Sequence, residues 1–447
     1  MRGWTCISVW GATQFVTHGS GNDVRRLSQR QEQQAAILSQ LTSTRSHGLG
    51  RRSALADALR QRPVNETQMN LGAARCLLAT IIMLAAAVGC SPSPVPPPVT
   101  TSEPTPASKP PIDYVALEAE IEKAITTGPA TLDNVRAVLV SVDGETKIAH
   151  YRHGFADGDH GHVFSVTKSV VSILIGIAIG DGLIASIDQP LAELMPEHRQ
   201  AMSDDTGKVT LRQLMTMSGG FDDYMPVGDQ WEKSGEPGGD YVELLLKRPQ
   251  YPPGTAFWYS NPSAHLAAAV LGAALERADG DRPRTILDYA REKLFDPLGI
   301  STRPAFSRPL PNLFAPEFAK AGFGWGTDPN GIQLGPAGLR LTAPDMIKIG
   351  ELYRRGGVWN GHQIVPADWI RQSTSPSTLN PDYGLFWWIL GEPDGPGYTA
   401  AGAGEQHITV LPKSQAVIVY LSDTQPNSEI TAEDVKPLND VFVAAFP

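Results

Sequence analysis

The chain has little cysteine, and all of it lies near the N-terminus. Its 447 residues include three, Cys6, Cys76 and Cys90. The chain beyond position 90 therefore holds neither an internal disulfide nor a cysteine-ligated metal. Lysine is missing from that same N-terminal stretch: the first is Lys109, and residues 1–90 carry ten arginines and four acidic residues. That leaves 27 basic against 43 acidic residues after Cys90. So acidic a chain excludes nucleic acid as a partner, because phosphates require a basic surface. Long apolar runs are scarce too. Leu77–Val88 spans twelve residues and Val170–Ile179 ten, both short of the roughly 20 needed to cross a bilayer as a helix. No glycine-rich loop of the phosphate-cradling kind stands out.

What is present divides the chain into four stretches. Residues 69–90 (MNLGAARCLLATIIMLAAAVGC) run from Met69 through a positive Arg75 and an apolar segment to small residues before Cys90. That is the order of a secretory signal. Its end, Ala87-Val88-Gly89-Cys90, resembles a bacterial lipobox with Ala87 where leucine is usual. The resemblance implies that Cys90 carries lipid and holds an exported protein on a membrane of the bacterial cell envelope. Residues 1–68, rich in Arg, Gln and Ser, precede the expected signal, so they are expected to be an over-extended start or a disordered extension. Residues 91–111 (SPSPVPPPVTTSEPTPASKPP) form an extended, semi-rigid spacer. Residues 112–447 make up the folded domain.

Within that domain, residues 113–125 read as an amphipathic helix. Val135–Val142 and Thr146–Arg152 read as strands flanking an Asp143-Gly144 hairpin turn. Gln406–Leu411 and Ala416–Ser422 are strand-like again. The fold class is therefore α+β: one antiparallel sheet built from both chain ends and flanked by helices, with an inserted, mainly helical subdomain. The run Val170–Ile179 reads as a buried central helix.

That helix begins at Ser165-Val166-Thr167-Lys168. A helix starting at Val166 puts Ser165 at its N-terminus and Lys168 one turn on, on the same face. Hydroxyl and amine then meet where the helix end favours negative charge, which suits an activated serine nucleophile. A chance Ser-x-x-Lys on an amphipathic helix is the bland alternative. Trp258-Tyr259-Ser260-Asn261 follows a Pro/Gly loop and precedes a helix expected over 263–275. A phenol beside an ammonium ionises more easily, so Tyr259 is a candidate to move a proton between Ser165 and a leaving group. Asn261 is a candidate to orient Lys168 or a substrate carbonyl. Ordinary packing and helix capping are the alternatives for both. Asp222 and Asp223 follow a Gly-Gly turn, in a solvated loop or against substrate. Trp325, Trp387, Trp388 and Tyr398 line either an apolar acyl pocket or the core. His153, His160 and His162 cluster without regular ligand spacing or a fourth partner, so no metal is expected.

Together these motifs resemble the serine β-lactamase and penicillin-binding-protein superfamily. The likeness is to its class C-like branch, which includes carboxylesterases and 6-aminohexanoate-dimer hydrolases. Ser165–Lys168 and Tyr259–Asn261 carry the resemblance. So do Leu211–Gly220 (LRQLMTMSGG), Leu294–Ile300 (LFDPLGI), Gly338–Asp345 (GLRLTAPD) and Gly357–Pro366 (GVWNGHQIVP), in order. The resemblance implies an acyl-enzyme serine hydrolase acting on a small ester or amide, with no cofactor. Ser165 would be the nucleophile, Lys168 its activator and Tyr259 the general base. Asn261 would bind the acyl amide or steady Lys168. The N–H groups of Ser165 and of an edge strand near Gly402 and Ala403 would form the oxyanion hole. The chain departs from the family at its third motif: a Lys-Thr-Gly or His-Thr-Gly is replaced by Ala400-Ala401-Gly402. The missing cation would be worth about 1.5–3 kcal/mol to a substrate carboxylate. Its loss favours an esterase or amidase over the alternatives, a D,D-peptidase or β-lactamase. A non-catalytic binding descendant is a further alternative, against which Ser165, Lys168 and Tyr259 all stand intact.

Overall fold

The computed structural model describes residues 111–247, 249–391, 397–424 and 430–446. The signal segment, Cys90 and the spacer up to residue 110 lie outside them. Strands β1 (Val135–Val142) and β2 (Glu145–Tyr151) form the expected hairpin. Asp143 and Gly144 both adopt positive φ, 54° and 84°, as a two-residue type I′ turn requires. Farther along come a three-stranded sheet of β3 (His160–His162), β4 (Gly324–Trp325) and β5 (Leu339–Thr342), and a small hairpin of β6 (Val358–Trp359) and β7 (His362–Gln363). The last strands are β8 (Trp388–Leu390), β9 (Gly397–Gly402), β10 (Gln406–Leu411) and β11 (Ala416–Ser422). The main sheet runs β2-β1-β11-β10-β9-β8, antiparallel at each pairing. β1 lies beside β11, so strands from the two ends of the described domain pair with each other.

Both faces of this sheet are covered at β1 and β11, which is why these two strands read as near-continuous apolar runs rather than alternating ones. Ala137, Leu139, Val417, Val419 and Leu421 join the larger core. Their neighbours Val138, Val140, Ile418 and Tyr420 join a smaller one. The smaller core is closed by Leu117 and Ile121 of α1 (Tyr114–Thr127) and by Leu438 and Phe442 of α5 (Lys436–Ala445). On the opposite face lie α2 (Val166–Gly180) and α4 (Ala343–Arg354). A Cβ on Gly350 of α4 would stand 2.4 Å from the Val417 side chain, so only glycine lets helix and sheet approach this closely.

Every residue of α2 from Val166 to Ala178 is buried, as expected of a helix that is apolar all round. It packs between the sheet and α3 (Asn261–Asp279). Among the described residues no helix is long and apolar enough to cross a membrane. The stretch between α2 and β5 is the helical insertion. Apart from α3 its helices are short, including Leu211–Met215, Asp229–Ser234 and Tyr241–Leu246.

Candidate active site

Ser165 stands at the N-cap of α2, just after a strained residue. Phe164 has φ 44°, a region side chains rarely occupy and one that clusters at functional sites. Thr167 Oγ1 donates to Phe164 O at 2.6 Å, and the His162 ring lies 3.8 Å from the Phe164 ring. These contacts hold the turn that lifts Ser165 from β3 onto the helix.

Lys168, one turn on, is 1% exposed. Its Nζ donates to Ser165 Oγ at 2.9 Å, Asn261 Oδ1 at 2.7 Å and Pro336 O at 3.0 Å. All three acceptors are neutral. Burial therefore dominates and lowers the amine from 10.5 to about 7, with the charge of Asp223 acting in the opposite direction. The ammonium also lies 4.8 Å from the Tyr259 ring centre. Tyr259 and Ser165 share a side-chain hydrogen bond. The phenol moves opposite to the sequence expectation. Burial raises it well above 10, and the Ser165 hydrogen bond only partly opposes that. Desolvation of the phenolate outweighs the nearby ammonium. The Tyr259 ring stacks on Trp388 at 5.7 Å and meets Tyr383 edge-on at 6.1 Å.

Three loops place these groups. The turn after Leu211–Met215 is tied to the Tyr259 segment: Trp258 N donates to Met217 O at 2.7 Å, and Ser260 Oγ to Asp222 O at 2.9 Å. Asn261 N donates to Asp223 Oδ1 at 2.9 Å. Asn261 is thus the first residue of α3, which starts two residues before the expected 263, because Ser260 caps the helix by accepting from Ser263 N. The loop carrying Pro336 is anchored by His265 of α3. This buried ring meets Asp328 at 3.0 Å and accepts Gly335 N–H at 3.4 Å. The third loop follows β9. A Cβ on Gly402 would lie 2.4 Å from Val163 O and 3.1 Å from Ser165 N, so glycine there allows the strand and the Ser165 turn to touch. The buried Gln406 side chain donates to Ala403 O (3.4 Å) and Gly404 O (3.1 Å), fixing the turn behind Ala403.

The strand with Gly402 is not the sheet edge, because β8 lies outside it. Yet β8 pairs only with Gly397, Tyr398 and Thr399, and Ala400–Gly402 extends past it. Trp325 and Trp387 are wholly buried, and Trp387 stacks on Tyr353 at 4.4 Å with Tyr398 edge-on, so these are core residues. Of the four candidate pocket aromatics, Trp388 reaches Tyr259. Two of the three histidines take separate partners: His153 meets Asp133 at 3.0 Å, while His162 Nε2 accepts Gly338 N–H at 3.1 Å. Sequence reasoning missed Pro336, which acts through a backbone carbonyl and carries no side-chain signal. It left Asp223 as a loop acid, and its place beside Lys168 follows only from the fold.

Next to Pro336 opens a small apolar recess, lined by Met225, Trp231, Leu310, Leu313 and Leu334 among others and by no charged side chain. Trp258 and Tyr251, 45% and 40% exposed, pair at 5.1 Å close to Tyr259.

A family model described as Beta-lactamase matches residues 134–437. The chain is 23% identical over 310 residues to a 6-aminohexanoate-dimer hydrolase of Paenarthrobacter ureafaciens, covering 64% of this chain and 72% of that one. Among solved structures, it resembles a putative beta-lactamase from Bacteroides dorei at TM-score 0.56 and 17% identity, covering 75% of this chain and 99% of that one. A family VIII carboxylesterase gives TM-score 0.51 at 15% identity, with 74% and 97% covered. Sheet, helices and insertion are thus those of the β-lactamase and transpeptidase-like fold, and the chain belongs to the beta-lactamase family.

Proposed function

We propose that the protein is a serine hydrolase that cleaves an uncharged ester or amide through an acyl-enzyme on Ser165. The observation that carries this reading is the contact of Lys168 Nζ with Ser165 Oγ at 2.9 Å, by an amine that burial has brought to about 7. A neutral amine at working pH is a base for the serine. Ser165 Oγ attacks the carbonyl carbon while its proton passes to Lys168. The Tyr259 hydroxyl, kept protonated by burial, donates to the departing alkoxide or amine and recovers a proton from Lys168. Water then repeats the attack on the acyl-enzyme and frees the acid. Asn261 steadies Lys168. The N–H groups of Ser165 and Ala403, brought close by Gly402, receive the oxyanion. The relatives named as an aminohexanoate-dimer hydrolase and a carboxylesterase support the ester or amide class. Ala400, at the position of the family's cation, and the uncharged recess favour a substrate without a carboxylate there.

A fluorophosphonate probe is expected to label Ser165 alone, and Ser165→Ala to abolish both labelling and p-nitrophenyl butyrate hydrolysis. Labelling elsewhere with activity retained removes the mechanism. Efficient cephalosporin turnover without ester hydrolysis would favour the β-lactamase alternative. We also propose a lipid on Cys90 that anchors the protein at the cell envelope. Cys90→Ala is then expected to leave the membrane fraction, and unchanged fractionation refutes the anchor.

A further inference from the structure

Asp223 accepts a hydrogen bond from the backbone of a residue whose side chain holds the lysine. Its Oδ1 takes Asn261 N–H at 2.9 Å, and Asn261 Oδ1 takes Lys168 Nζ at 2.7 Å. Peptide and amide of one residue thus link carboxylate to ammonium. The link is rigid at both ends. Asn261 opens α3, where a carboxylate on a first-turn N–H is favoured by the helix dipole. The segment carrying Asp223 is pinned by Ser260 Oγ on Asp222 O at 2.9 Å. Asp223 acts on the lysine through Asn261 and through its charge, which also bears on the Tyr259 phenol.

We propose that Asp223 is a positioning residue of this site, fixing the Asn261 amide on Lys168 and supplying the lysine with a neighbouring negative charge. The inference rests on the reading of Ser165 and Lys168 as nucleophile and base. Lys168 is faced by Ser165 from its own helix, by Tyr259 and Asn261 from the start of α3, by Pro336 O from the loop after Asp328, and by Asp223. Asp223 is faced by the Asn261 N–H, Lys168, Asp222 and the Tyr259 phenol. Burial raises the Asp223 carboxyl to about 6, against the Asn261 N–H and Lys168, which favour its charge. Burial alone would lower Lys168 further, and the Asp223 charge opposes that. Ionised Asp223 therefore keeps the lysine basic enough to take a proton from serine, while neutral Asp223 lets it fall. Loss of this charge moves the acid limb of activity to lower pH, because Lys168 becomes a free base sooner.

The test separates charge from hydrogen bond. Asp223→Asn keeps an oxygen for the Asn261 N–H and removes the charge, while Asp223→Ala removes both. The pH profile of kcat/KM for p-nitrophenyl butyrate is measured from pH 5 to 10 for wild type and both variants, with circular dichroism on each. Asp223→Asn is expected to move the acid limb down by about one unit and to keep plateau kcat within about threefold of wild type. Asp223→Ala is expected to share the shift and lose about tenfold more in kcat. Asp223→Ser, a smaller uncharged acceptor, gives the same shift should the other two fold poorly. An acid limb that stays put, or rises, in a folded uncharged variant overturns the proposal. Ser165 labelling by fluorophosphonate in wild type is read alongside. Its failure would refute the hydrolase reading itself, whereas labelling with an unmoved limb refutes Asp223 alone.

Discussion

Lys168 and Glu351 are both charged side chains taken almost wholly out of water, 1% and 2% exposed, and they are treated in opposite ways. Glu351, on α4, accepts from Ser141 Oγ at 2.8 Å and lies against two guanidinium groups, Arg354 at 2.8 Å and Arg355 at 3.2 Å. Its charge is matched on the spot. Lys168 is surrounded by neutral oxygens from Ser165, Asn261 and Pro336. Its charge is held by neutral contacts and only partly offset by Asp223, so burial brings the amine to about 7. A matched buried charge fastens a helix to a sheet. An unmatched one becomes a base, at a cost in stability.

Substitutions at the two centres should part accordingly. The largest effect is expected at the proposed catalytic cluster. Tyr259→Phe should lower kcat for an ethyl ester by about 10²–10⁴-fold, and by less for a p-nitrophenyl ester, whose leaving group needs no proton. A folded variant with near-wild-type turnover of the ethyl ester would reduce Tyr259 to packing on Trp388. At the matched centre, Glu351→Leu leaves Arg354 buried without its partner and should cost about 3–5 kcal/mol in denaturant unfolding. Its effect on kcat should be small. The smallest effect runs the other way: Lys168→Met should stabilise the fold by about 1–4 kcal/mol below pH 7 while removing activity. The sign follows from linkage. The folded amine titrates near 7 and the unfolded one at its ordinary 10.5, so between these values the unfolded chain binds more protons and wild-type stability rises with pH. The advantage of Lys168→Met should therefore shrink from pH 7 to 10, and a constant advantage would contradict the unmatched-charge account.

The two ends of the described domain were easier to read than its middle. β1, β10 and β11 lie over the expected stretches, because strands rich in buried Val and Ile declare themselves in sequence. Ser165 and Lys168 were legible because three residues along a helix fix their separation, whatever the rest of the fold does. Tyr259 was one candidate with packing as its alternative until the family resemblance singled it out, as 94 residues separate it from Ser165. The direction of its shift was misjudged from sequence because burial, not the neighbouring charge, decides it. β8 was hidden: three residues of strand, Trp388–Leu390, give no periodicity. Pro336 was invisible, since a carbonyl contributes the same atom at every position.

The central claim is that Lys168, buried beside neutral oxygens, is the base for Ser165. Its most direct test is the second-order rate of fluorophosphonate labelling of Ser165 between pH 5 and 11. The rate is expected to rise through a single step near pH 7 and to stay flat beyond about pH 8.5. A rate that keeps climbing to pH 10, as for an ordinary lysine, would contradict it.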